Sequence, residues 1–224
     1  MSEIQAASGR YTTVAGDHRS ELEIKRSRFI TVLRRTETED EARALIAELR
    51  REFHDTRHHC SAFVLGPGRE VQRSSDDGEP SGTAGIPMLE ALTKRETFDG
   101  TADLSDITAV TVRYFGGILL GAGGLVRAYS ESVSSALSSA PLLRRRRMQL
   151  YAVPASHGGA GRLENDLRGA GYTVRGTEYG DRGAVITVAL PDAPDSTDGF
   201  RERLAALTAG DVSAELLATE WIDL

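Results

Sequence analysis

Residues 107–114 (ITAVTVRY), 115–124 (FGGILLGAGG) and 125–137 (LVRAYSESVSSAL) decide the fold. The first segment is β-branched and almost uncharged, which predicts a buried strand. The last places Leu125, Tyr129, Val133 and Leu137 four residues apart, which predicts a helix ending before Pro141. The glycine-rich segment between them is the sharpest local signal in the chain. Glycines permit positive φ and close backbone approach, and a helix N-terminus after such a loop offers free amides to an anion. No Gly-Lys-Ser/Thr follows, and Val126 stands where a dinucleotide fingerprint needs its third glycine. A tight structural reversal and an anion site through Gly116, Gly117, Gly121, Gly123 and Gly124 both stay open.

Upstream lies SSDDGEPSGTAGIPM, residues 74–88, a loop leading into a helix over about 87–93. Pro87 is tolerable there in the first turn. Asp76, Asp77 and Glu79 could hold a hard cation, although they lack the regular spacing of a calcium loop. Ser81 or Thr83 could instead cap the helix. A carboxylate here could also pair with Arg113 or Arg127.

Further upstream, Cys60–Leu65 and a segment near Arg69–Arg73 read as strands around a Pro67-Gly68 turn. Residues 38–53 carry a helical stripe (Ala42, Leu45, Ile46, Leu49, Phe53), with Thr38 and Glu41 as a capping box. Leu22–Leu33 reads as strand, interrupted by Lys25, Arg26 and Arg28 and so divisible into two. Residues 1–19 are unpatterned and read as a flexible arm. His54, His58, His59 and Cys60 are too few and too adjacent for a zinc site, so no metal is expected. Cys60 reads as a core residue.

Downstream, Arg144–Arg147 precedes a strand at 148–153 and marks a domain boundary, its charges read as a solvated face. Helix 161–170, strands 172–179 and 184–190, helix 197–207 and strand 212–221 follow. That βαββαβ order fits a ferredoxin-like unit. The expected organisation is an arm over 1–19, a first domain over 20–145 and a second over 146–224.

With 224 residues, the chain has room for one or two domains. No stretch approaches the ~20 apolar residues of a membrane span, and the N-terminus has no apolar signal core. One cysteine excludes an internal disulfide. A cytoplasmic protein with no membrane partner is expected. Of 27 Lys+Arg and 33 Asp+Glu, 6 and 12 respectively lie beyond residue 147, so the net −6 belongs to that part. The first part is therefore the better surface for a polyanion. Only Lys25 and Lys94 are lysines, an arginine bias read as genomic.

KRSRFIT (25–31), HHCSAFVLG (58–66), SSDDGEPSGTAGIPML (74–89) and VRYFGGILLGAGGLVRAYS (112–130) resemble the YigZ/IMPACT family, in its bacterial two-domain form. The resemblance covers the chain beyond about residue 20. It implies an α+β protein with an N-terminal βαβ-type α/β domain like a ribosomal protein and the fourth domain of elongation factor G. The second domain would be ferredoxin-like, like the fifth domain of that factor. Eukaryotic relatives regulate translation through an additional N-terminal domain, for which the first 20 residues are too short, so that partner is not carried over. No catalytic residue comes with the resemblance.

Two functions follow as expectations. The first is a non-enzymatic, translation-linked protein binding RNA, the ribosome or a translation factor, without sequence-specific DNA recognition. Its site would comprise Ser81, Gly82, Thr83, Gly85, Arg113, Tyr114, the glycine loop and Arg127, with Tyr114 or Phe115 stacking on bases. The alternative is a metal-assisted hydrolase or transferase of a phosphorylated substrate, using Asp76, Asp77 or Glu79. No cofactor is implied, and the oligomeric state stays open.

Overall fold

A computed structural model describes residues 9–224, apart from the side chains of Asp99 and Pro194. The chain divides into one unit ending at Arg144 and another over Arg145–Leu224. The first unit contains β1 (Arg10–Val14), β2 (His18–Ile24), β3 (Ser27–Arg35), α1 (Glu39–Glu52), β4 (His58–Leu65), β5 (Val71–Ser75), α2 (Gly85–Thr93), β6 (Ile107–Tyr114) and α3 (Ala122–Ser139). β7 (Leu142–Ala155) starts here and continues into the second unit.

The main sheet of the first unit has the order β2-β3-β6-β4-β5, antiparallel throughout. This corrects the expected βαβ-type α/β domain. β3 and β4, joined through α1, do run in one direction, but β6 lies between them and pairs with both. The crossover is thus a split βαβ unit. Placing the most apolar strand at the centre buries both its faces. On one face Phe29, Leu33, Ala62 and Ile107 pack with Met88 of α2 and Tyr129 and Val133 of α3. On the other, Ile30, Val32, Val110 and Val112 meet Leu45 and Leu49 of α1. Each such buried side chain contributes roughly 1.5–3 kcal/mol.

The expected arm is ordered from Arg10 onward; its first eight residues lie outside the described ones. Tyr11 and Val14 of β1 are buried, and Thr12 exchanges backbone bonds with Asp103 (3.1 Å) and Ser105 (2.9 Å). Alternation of apolar Tyr11 and polar neighbours is too short over five residues to stand out locally. The interrupted run 22–33 resolves into the hairpin β2–β3, with Lys25 and Arg26 at its turn. Thr38 caps α1 by accepting the Glu41 amide at 3.2 Å, as its spacing predicts.

The second unit continues β7 with α4 (Ala160–Gly169), β8 (Thr173–Gly180), β9 (Gly183–Pro191), α5 (Pro194–Thr208) and β10 (Glu215–Asp223). Its strands form the antiparallel order β10-β7-β9-β8. Tyr151, Ile186, Val188, Leu163, Leu167 and Phe200 make its core. The arginine run, read as solvated, lies inside β7. Arg145 is buried, pairing with Asp223 at 2.9 Å, and Arg147 meets Asp192 at 3.1 Å. Among the described residues no helix is long and apolar enough to cross a membrane.

Candidate functional site: a cleft between two loops

The 74–88 loop and the glycine loop close around one cleft of about 390 Å³ in the first unit. β6 delivers Arg113 to its floor from the middle of the sheet. The acidic loop delivers Glu79 and Pro80, and the glycine loop and α3 supply Phe115, Leu119, Leu120 and Leu125. His58 of β4 also reaches it.

The floor is a buried polar network. Arg113 Nη1 donates to Glu79 Oε1 at 2.7 Å, the two side chains being only 7% and 4% exposed. Tyr129 donates its hydroxyl proton to the same oxygen at 2.9 Å, and the Cys60 thiol donates to Tyr129 Oη at 3.3 Å. Arg113 stacks on Phe29 and on Phe115, 5.5 and 5.6 Å from their ring centroids. Burial pushes the Cys60 thiol up to about 12. Burial, followed by the neighbouring Cys60, raises the Tyr129 hydroxyl as well. Both stay protonated near neutral pH, so neither is an activated nucleophile.

Three expectations for the acidic loop change. Asp76, and not Ser81 or Thr83, caps α2: its carboxylate accepts the amides of Gly82 (2.8 Å), Ala84 (2.9 Å) and Gly85 (2.8 Å). Ser81 is exposed, and Thr83 bonds back to the Pro80 carbonyl. The amides expected to cradle an external anion are therefore occupied by the protein's own. Gly85 serves packing, since a Cβ there would lie 2.7 Å from Ser75 N. Asp77 accepts the His59 amide at 2.7 Å and Arg50 Nη2 at 2.5 Å. The three carboxylates thus face three different partner sets. No group of three His, Cys, Asp or Glu suited to a metal occurs among the described residues.

Burial raises the Asp76 pKa, but its amide bonds outweigh that and hold it below the usual carboxylate value. A depressed folded pKa stabilises above the unfolded value, about 3.9, and that stability disappears as pH falls through the folded value. Asp76→Asn, which keeps one acceptor oxygen, is expected to lose about 1–2 kcal/mol at pH 7. The deficit should shrink below pH 4; urea unfolding at pH 7 and pH 3 checks this, and an equal loss at both would contradict it.

The glycine loop divides. Gly116 is structural: an added Cβ would stand 2.0 Å from Arg26 C. Gly117 and Gly121 have φ of +82° and +73°. Gly121 is the N-cap of α3, with no side chain capping the helix. The first intrahelical bond runs from Leu125 N–H to Gly121 C=O at 2.9 Å; the amides of Ala122, Gly123 and Gly124 remain open to an acceptor.

Other expected residues lie elsewhere. Tyr114 projects from the opposite face of the sheet, where its hydroxyl donates to Asp55 Oδ1 at 2.7 Å. The exposed Phe115 takes its place in the cleft. Arg127 is exposed on α3 and does not line the cleft. Arg113, expected either to supply charge to a ligand or to pair with an acidic-loop carboxylate, does the second and is paired with Glu79. Two residues outside the expected site stand beside it: Lys25 and Arg26, exposed, with φ of +48° and +65°. Their turn abuts Gly116. Two successive non-glycine residues in this region are a sequence signal only once the hairpin is known.

An antiparallel split-βαβ unit followed by an α+β unit, with a cleft closed by two glycine-bearing loops, defines the class of protein. The Impact N-terminal domain family matches residues 25–137, and a domain of unknown function, DUF1949, matches residues 155–211. The chain is 41% identical over 202 residues to the IMPACT family member YvyE of Bacillus subtilis, covering 89% of this chain and 88% of that one. It is 39% identical over 200 residues to the IMPACT family member YigZ of Escherichia coli, covering 88% and 92%. A crystal structure described as an hypothetical protein superposes with a TM-score of 0.60 at 35% identity, covering 94% of this chain and 98% of that one. The chain belongs to the IMPACT family.

Proposed function

We propose that this protein is a non-enzymatic, translation-linked RNA-binding protein, cytoplasmic, that engages single-stranded RNA at the cleft of its first unit. One observation carries the reading: the uncapped N-terminus of α3, at Gly121 and Ala122, lines a cleft whose wall is the exposed Phe115. Amides at a helix N-terminus take a phosphate, and an exposed aromatic ring takes a base. The Lys25-Arg26 turn beside Gly116 adds positive charge at the edge. Holding two non-glycine residues at positive φ costs on the order of 1–2 kcal/mol each, and such strain gathers at functional sites. The order of strands in the second unit, β10-β7-β9-β8, supports a ferredoxin-like reading. The pairing of a split-βαβ unit with it supports the analogy to elongation factor G, which is an analogy of fold.

Filter binding of RNA oligonucleotides to the full chain tests this. Phe115→Ala is expected to weaken binding roughly 5- to 100-fold, the value of one stacked base. Lys25→Glu with Arg26→Glu should lower the slope of log K against log salt by about 1–2. Affinity unaltered in both variants, or no binding at low salt, would remove the reading.

A further inference from the structure

The floor of the cleft contains an acceptor that the network does not use. Glu79 is a side chain 96% withdrawn from solvent, being 4% exposed. Both of its hydrogen bonds, from Arg113 and from Tyr129, fall on Oε1. Oε2 accepts none among the described residues, although Glu79 lines the cleft. Oε2 is not among the fully buried unpartnered atoms, so it keeps contact with the cleft, where a ligand's donor can reach it. Its charge is balanced by Arg113, so what it lacks is an N–H and not a cation. Beside it, Phe115 is 57% exposed while Arg113 covers it at 5.6 Å, which leaves ring surface for stacking. Pro80, Leu120 and Leu125 complete an apolar wall. At 390 Å³ the space lies at the small end of ligand pockets, about 300–1,000 Å³.

We infer that the cleft takes one unstacked base and reads its exocyclic amino group through Glu79 Oε2. This rests on the RNA-binding reading above and adds a base preference to it. The base would lie against Phe115 with its phosphate at the amides of Ala122–Gly124. An acceptor-only group discriminates by what it faces. Cytosine presents its N4 amino group, a known partner for carboxylates. Uracil presents O4 at that position, an acceptor against an acceptor, and its single N3–H lies between two carbonyls. The two pyrimidines stack alike, so the difference between them isolates the Glu79 contact.

The test compares oligo(C) and oligo(U) of eight nucleotides, single-stranded and at one salt concentration, on the unmodified full chain. Binding of oligo(C) is expected to be roughly tenfold tighter. Equal affinity for both would overturn the base reading and leave RNA binding standing; binding of neither would overturn both. Glu79→Gln, used only where its unfolding transition stays cooperative, presents an amide that can donate as well as accept. It is expected to bring the ratio towards one, and a ratio still near ten in that variant would likewise overturn the assignment.

Discussion

Arg113→Met is expected to destabilise the first unit by about 3–5 kcal/mol, because it leaves the Glu79 carboxylate buried without its counter-charge. Arg113 and Glu79 are 7% and 4% exposed, too dry for water to replace the lost partner. Glu79→Leu should lose a comparable amount, since it strands both the guanidinium and the Tyr129 hydroxyl, which donates to Glu79 at 2.9 Å. The double variant should lose clearly less than the sum of the two, as removal of both charges leaves no unpaired ion. Chemical denaturation of the four proteins measures the coupling. Single losses under about 1 kcal/mol, typical of exposed pairs, would show that the network is wetter than its geometry indicates. The same variants bear on function: an Arg113 reversal would abolish RNA binding through unfolding, so binding must be read on Phe115, Lys25 and Arg26 instead.

Gly116→Ala carries the second large effect. Its Cβ would lie 2.0 Å from Arg26 C, 2.1 Å from Arg26 O and 2.5 Å from Ser27 N, all backbone atoms of the β2–β3 turn. No side-chain rotation relieves such a contact, so the turn and the loop must separate. That would also break the bond from Gly116 N–H to Ser27 Oγ, now 3.1 Å. A loss of about 3 kcal/mol is expected, at the upper end for overpacking. Gly123→Ala is the contrast: a Cβ there meets nothing within 4 Å, and Ala favours a helix over Gly by about 1 kcal/mol. Thermal unfolding should therefore fall for the first and hold or rise for the second. Equal shifts would mean that the loop adapts to a side chain at 116.

Local signals carried far in this chain. The β-branched run at 107–114 became the central strand, the stripe from Ala42 to Leu49 became the buried face of α1, and Thr38 and Glu41 met as their spacing implied. Cys60 proved a core residue. Each of these depends on neighbours within one turn or one strand, so periodicity and capping chemistry encode them. The four long motifs likewise marked the family, because they state residue identity directly.

The partners across the chain are another matter. Ser81 and Thr83 were the expected caps, and Asp76 an expected cation ligand; the bend of the loop brought the Asp76 carboxylate instead onto the amides of 82, 84 and 85. In sequence Arg113 stood both as a ligand-facing cation and as a partner for an acidic-loop carboxylate; β6, set between β3 and β4, buried it against Glu79, 34 positions away, and so chose the second. Tyr114 and Phe115 differ by one residue and part company at the end of the strand, one bonded to Asp55 and the other opening the cleft. Sequence alone determined most of the elements, though not β1, together with the family and the two loops that matter, because these rest on short-range pattern. Tertiary structure decided which amides, carboxylates and rings remain available to a ligand, because a polar group is free or satisfied only by what the fold brings within about 3 Å of it.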